Sequence, residues 1–183
     1  MHTPIPPEDV IQFWFTELEA KDWFTTNLEL DQKITTRFLP LVERAAQCEL
    51  VSWRSSAQGR LAEVIVLDQF SRNIFRNTPR AFSQDPLALA LAQEAIGLGL
   101  DQALSLEQRS FLYMPFMHSE SRQIHQQAVL LFSTPGMENN HQFELKHKVI
   151  IDQFGRYPHR NEILGRESTP QEIAFLTQPD SSF

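Results

Sequence analysis

With 183 residues, 42% of them hydrophobic and 21% charged, the chain is long enough for one well-buried core and has the composition of an ordinary globular protein. Its formal net charge of −7 disfavours binding to DNA or RNA, which depends on neutralising phosphates with Lys and Arg. A single cysteine, Cys48, excludes an internal disulfide and a four-thiolate zinc site, and nowhere is an apolar run long enough to span a membrane.

The amino-terminal stretch "MHTPIPPEDVIQFWF" has no basic segment followed by a long apolar one, so the cytoplasm is the expected location. Pro7, Glu8 and Asp9 suit a helix opening, and "VIQFWFTEL" reads as an apolar first helix. An aromatic loop, "KDWFTTN", follows. Ile34, Phe38, Leu41, Val42 and Ala45 then form the stripe of an amphipathic helix that Pro40 is expected to kink. A third helix is predicted from about Ala57 to Phe70, and its "VIVL" is apolar on all sides, which suits a central position.

Asp85 as N-cap, Pro86 at the first helical position and Gly97 or Gly99 as terminator delimit the next helix. Ser105 and Gln108 have the spacing of a capping box for "LEQRSFLYM", which Pro115 should break or bend. Further helices are expected over Glu120 to Phe132 and over "QFELKHKVIIDQF" as far as Gly155, with "STPGMENN" as the loop between them. Thr169, Pro170 and Glu172 open a last short helix. No strand-like alternation occurs, so the expected fold is all-α, a single domain of residues 1–183 with about eight helices.

One phrase is written twice. "DQFSRNIFRN" begins at Asp68 and "DQFGRYPHRN" begins at Asp152, 84 residues later. The match extends backwards: Leu61, Ile65, Asp68 and Arg72 correspond to Leu145, Val149, Asp152 and Arg156, each set lying on one helical face. Two core-directed stripes, each ending in an i, i+4 acid–arginine pair, are therefore expected. One reading makes these pairs braces of similar helix ends, with Phe70 and Phe154 as wedges. The other notes that Arg72, Arg76, Arg80, Arg156, Arg160 and Arg166 cluster in and after the two phrases. Local positive charge in an acidic chain suits a pocket for a carboxylate or phosphate, to which His159 would add a titratable donor.

Spacing argues against most combinations of the six histidines as metal ligands, although His118 and Glu120 could converge near the Pro115 break. On one continuous helix His118 and His125 would stand about 10 Å apart along the axis, too far to share an ion. No metal and no cofactor are expected. Nucleophile-elbow, Walker and dinucleotide motifs are absent, and Cys48, placed on a helix without an adjacent base, reads as packed or inert. Trp14 and Phe15, with Trp23 and Phe24, suit either the wall of a ligand pocket or the core, and core is the first reading.

At "LDQFSRNIFR", "AFSQDPLALALAQEAI", "FLYMPFMHSE" and "FGRYPHRNEILGRESTPQEIAFL" the chain resembles domain of unknown function 924, a family of uncharacterised, mostly bacterial proteins. The resemblance covers nearly the whole chain. It implies helices packed as antiparallel pairs in a tetratricopeptide-like right-handed array, and carries no established activity. Its hallmark residues correspond to Asp68, Gln69, Phe70, Arg72, Asn73, Arg76, His118, Glu120, Gly155, Arg156, Pro158, His159, Arg160 and Asn161. Ser71 stands where the family usually has proline, and Asp152 and Gln153 lie outside the family's second phrase.

Three functional readings follow. The first is a binding protein that holds a small anionic ligand through Asp68, Gln69, Arg72, Asn73, Arg76, Arg156, Arg160 and Asn161. The second is a hydrolase or lyase in which His118 or His159 acts as acid or base with Glu120 or Asp68 as partner. The third is a groove for a peptide or protein partner. None of them calls for nucleic acid or a membrane.

Overall fold

In a computed structural model, residues 5–179 together with 181 and 182 are described; the first four residues of the stretch read for a leader lie outside them. The fold is all-α, with no strand among the described residues. The backbone divides into two compact units. The first runs to Arg76 and resumes from Arg80 to Pro115, and the second comprises Asn77–Pro79 and the chain from Phe116 onwards.

The first unit is organised around one buried helix. α1 (Pro7–Gln12) continues through a π turn at Phe13–Glu17, α2 (Ala20–Trp23) is one turn, and α3 (Leu28–Ala46) runs through Pro40. α3 starts where the Asn27 side chain accepts from the Glu29 and Leu30 amides. All five residues of its predicted stripe are buried. After a 3-10 turn at Val51–Ser55 come α4 (Ala57–Ile65), a π turn at Val66–Phe70 and α5 (Ser71–Ile74). "VIVL" straddles α4 and the π turn with every side chain fully buried, because α1, α3 and α6 (Asp85–Gly97) pack around that segment. Each such residue contributes roughly 1.5–3 kcal/mol of burial. Phe38 bridges Phe13 and Phe70 at ring separations of 5.0 and 4.7 Å. Trp14 and Trp23 stack beside them, and Trp53 lies in the 3-10 turn.

Asp85 is the first residue of α6 rather than its cap; Gln84 precedes the helix and leaves the Asp85 carboxylate for Arg72. Ser105 and Gln108 form both bonds of the predicted capping box at the start of α7 (Leu106–Met117). Pro115 lies inside α7, which ends two residues later. Cys48 is exposed and follows α3 with a φ of 59°, so it is neither helical nor packed.

In the second unit α8 (Arg122–Phe132) packs against α9 (Glu138–Phe154), followed by a 3-10 turn at Pro158–Arg160 and α10 (Pro170–Leu176). α9 takes in the "ENN" assigned to the preceding loop, and stops at Gly155, whose φ of 69° suits glycine. The capping box of Thr169 and Glu172 is present.

The second stripe does not reach the core. Leu61, Ile65 and Asp68 are fully buried, but their counterparts Leu145 and Val149 are 36% and 63% exposed, and Asp152 is exposed. α9 instead buries Glu144, His147, Ile150 and Ile151, a face displaced by about one residue from the apolar pair.

Candidate functional site

The arginines of the first phrase are held by carboxylates within their own unit. Arg72 reaches back one turn to Asp68 at 3.2 Å, as the i, i+4 spacing predicts, and grips both oxygens of Asp85 at 2.8 and 2.9 Å. Gln69 donates to the same Asp68 carboxylate. Arg76 forks onto Asp31 at 2.6 and 2.8 Å, and Asn73 donates to Asp31 at 2.8 Å. Burial would raise the Asp31 pKa, but Arg76 and Asn73 outweigh it and hold the carboxyl below its ordinary value. Arg80 lies over the Phe75 ring at 3.8 Å. An anion arriving at Arg72 or Arg76 would have to displace Asp85 or Asp31.

The second phrase is wired differently. The expected Asp152–Arg156 pair does not form: Asp152 pairs with Lys148, and Arg156 forks onto Glu172 at 2.7 and 2.8 Å. Gly155 ends α9 between them, so the four-residue spacing no longer spans one helical turn. Arg156, together with the Thr169 cap, pulls the Glu172 pKa down to about 2. Asn161 is buried, accepting from Arg166 at 2.9 Å and donating to Ser168 at 3.0 Å.

The turn from Met117 through the "HSE" segment is anchored at each of its four residues. Three successive backbone carbonyls there accept from side chains: Met117 from the Tyr157 hydroxyl at 2.5 Å, His118 from Arg160 at 3.1 Å and Ser119 from His125 Nε2 at 2.8 Å. Glu120 accepts from Arg166 at 2.7 and 2.9 Å and from the Tyr157 amide at 2.7 Å. Burial raises the Glu120 pKa, yet these bonds and the Arg166 and Arg160 charges outweigh it, so this carboxyl stays ionised below its usual range. An acid held this firmly braces better than it exchanges protons.

Tyr157 is the hub. Its ring is 1% exposed and lies 6.2, 5.8 and 5.5 Å from the rings of His125, His147 and His159, with the Arg160 guanidinium 4.6 Å from its centroid. His147 donates from Nδ1 to the Phe143 carbonyl at 2.7 Å. Burial, opposed by that bond and reinforced by the positive charge His118, His125 and His159 would carry, lowers its pKa to about 3. His125 and Glu144 are both fully buried and meet at 2.7 Å. Four histidines thus share one neighbourhood. Axial rise along a single helix hid this, because the chain leaves the helix after Met117 and restarts at Arg122. Among the described residues no three His, Cys, Asp or Glu are arranged to hold a metal ion.

Sequence reasoning picked out His118, Glu120, His159 and Arg160, all of which lie in this cluster. It passed over His125, Glu144, His147 and Tyr157. The available signal was the spacing of Glu144, His147 and Ile151, a buried helical face with polar members.

Residues 10–180 match the model of a family described as bacterial protein of unknown function, DUF924. The chain belongs to that family. A solved structure, protein of unknown function ATU0120 from Agrobacterium tumefaciens, is 39% identical, covers 93% of this chain and 96% of its own, and superposes with a TM-score of 0.88. No curated protein matches the sequence. Among the described residues no helix is long and apolar enough to cross a membrane.

Proposed function

We propose that this DUF924 protein binds a small anion, a carboxylate or phosphate, at the cluster of His118, His159 and Arg160 in its second unit. The supporting observation is that the His159 ring and the Arg160 guanidinium lie against the buried Tyr157 ring at 5.5 and 4.6 Å, and that Arg160 also holds the His118 carbonyl at 3.1 Å. His118 and His159 are only half-buried, so a ligand can reach them, and an approaching negative charge would favour their protonated, donating forms. Arg72, Arg76 and Arg156, with Asp68, Gln69, Asn73 and Asn161, then serve as bracing around the fold. The hydrolase or lyase reading uses the same His118, His159 and Glu120, but the ionised, double-anchored Glu120 gives it less support.

The test is thermal unfolding of the full chain with inorganic phosphate or citrate, against equal ionic strength of chloride, since a ligand of the folded state raises the melting temperature by mass action. Phosphate or citrate should raise the wild-type midpoint, and His159→Gln and Arg160→Ala should lose that rise. If Arg160→Ala fails to fold, His159→Gln decides. An unmoved wild-type midpoint, or an equal rise in His159→Gln, removes the proposal.

A peptide or protein partner draws on a separate observation, the exposed Leu145 and Val149 beside the 52% exposed Phe143 on α9. Under that reading Val149→Asp leaves the phosphate response unchanged.

A further inference from the structure

Both ring nitrogens of His125 face oxygen, Nδ1 at 2.7 Å from Glu144 Oε1 and Nε2 at 2.8 Å from the Ser119 carbonyl. A carbonyl oxygen only accepts, so Nε2 carries a hydrogen. The Tyr157 hydroxyl, 3.2 Å from Nε2, gives its own proton to the Met117 carbonyl and can only accept from the ring. The remaining contact would then set the Nδ1 lone pair against a carboxylate lone pair. Two acceptors at hydrogen-bond distance repel, and both residues are fully buried. A second proton must therefore lie between Nδ1 and Oε1, whichever atom it rides on.

In an unfolded chain near pH 8 that proton is absent, because a glutamate ionises near pH ~4.3 and an imidazole is mostly neutral above pH ~6.5. Folding consequently draws about one proton from solvent. Burial points the same way, raising the Glu144 pKa against the pull of His125, Lys148 and His141. The titratable and charged groups around the pair are His141, His147 and Lys148 on α9, His118 in the turn, and Tyr157, His159 and Arg160 beyond it. Lys148 is engaged by Asp152, and the His147 ring is kept neutral by its low pKa.

We propose that His125 and Glu144 form a proton latch: the proton they share locks the ring with Nε2–H towards the Ser119 carbonyl, fastening that carbonyl to α8, and folding must draw this proton from solvent. The latch sets how firmly the Ser119 carbonyl, between His118 and Glu120, is held. It needs no ligand, so it stands or falls separately from anion binding.

Glu144→Gln is the discriminating variant, since an amide N–H can donate to Nδ1 and keep the Nε2–H form without a titrating proton. Urea unfolding from about pH 7 to about pH 9, with hydrogen exchange in residues 116–120 as the readout, should show the wild-type folding equilibrium falling up to tenfold per pH unit relative to Glu144→Gln. Parallel pH profiles for the two proteins overturn the latch. If Glu144→Gln does not fold, nitrogen NMR of the wild-type His125 ring at neutral pH decides. A protonated Nε2 with a hydrogen-bonded Nδ1, whether the bridging proton rides on the ring or on Glu144, upholds the proposal, and an unprotonated Nε2 refutes it.

Discussion

Asp31 shows how a single carboxylate governs its surroundings. It is mostly buried and receives two bonds from Arg76 and one from Asn73. Asp31→Ala leaves a partly buried guanidinium without its counter-charge, and the expected loss, on the order of 3 kcal/mol, is measurable by urea unfolding. The pair was illegible in the sequence, because its members stand 45 residues apart and no local spacing relates them. Arg72 with Asp68 was legible, because a single helical turn relates them. His147 gives the opposite kind of prediction. Its pKa is lowered from 6.5 to about 3, so the unfolded chain takes up a proton before the folded one does. Stability is therefore whole above about pH 6.5 and declines as pH falls from there towards about pH 3, by up to tenfold in the folding equilibrium per unit. His147→Gln should flatten that decline. Asp31, Glu120 and Glu172, whose pKa values are lowered, act further into acid, losing their contributions as each is protonated.

At the level of elements, the repeated phrase contrasts two helices with nearly the same apolar spacing. Leu61 is fully buried on α4 and Leu145 is 36% exposed on α9. Leu61→Ala should therefore cost about 2–5 kcal/mol, and Leu145→Ala less than about 1 kcal/mol, in chemical denaturation. Equal losses would mean that α9 is turned the other way. The first stripe could be read because every member agreed with an apolar core. The second could not, because α9 turns inward the very residues that hydrophobic periodicity assigns to solvent, Glu144 and His147. Local rules fail where a polar centre replaces an oily one, and such places are where function or strain is expected. The start of α4 gives a sharper steric test. A Cβ on Gly59 would fall 2.0 Å from the Trp53 carbonyl oxygen, so Gly59→Ala must shift the Val51–Ser55 turn and should cost about 1–3 kcal/mol.

On the scale of the whole chain, the helical class was readable from caps and stops, among them Asn27, the Ser105–Gln108 and Thr169–Glu172 boxes, and Gly155. The division into two units was not. It falls at Pro115, inside α7, where there is no glycine- or serine-rich linker and no change in composition to announce it. The units differ in their polar chemistry. Both close charges into arginine–carboxylate forks, but the second also gathers imidazoles around a phenol. They differ in one more respect. Trp14, Trp23 and Trp53 all belong to the first unit, while the histidine cluster has only Tyr157 as a chromophore. Intrinsic tryptophan emission will therefore report on the first unit alone, and a pH-driven loosening around Tyr157 can pass without a change in that signal.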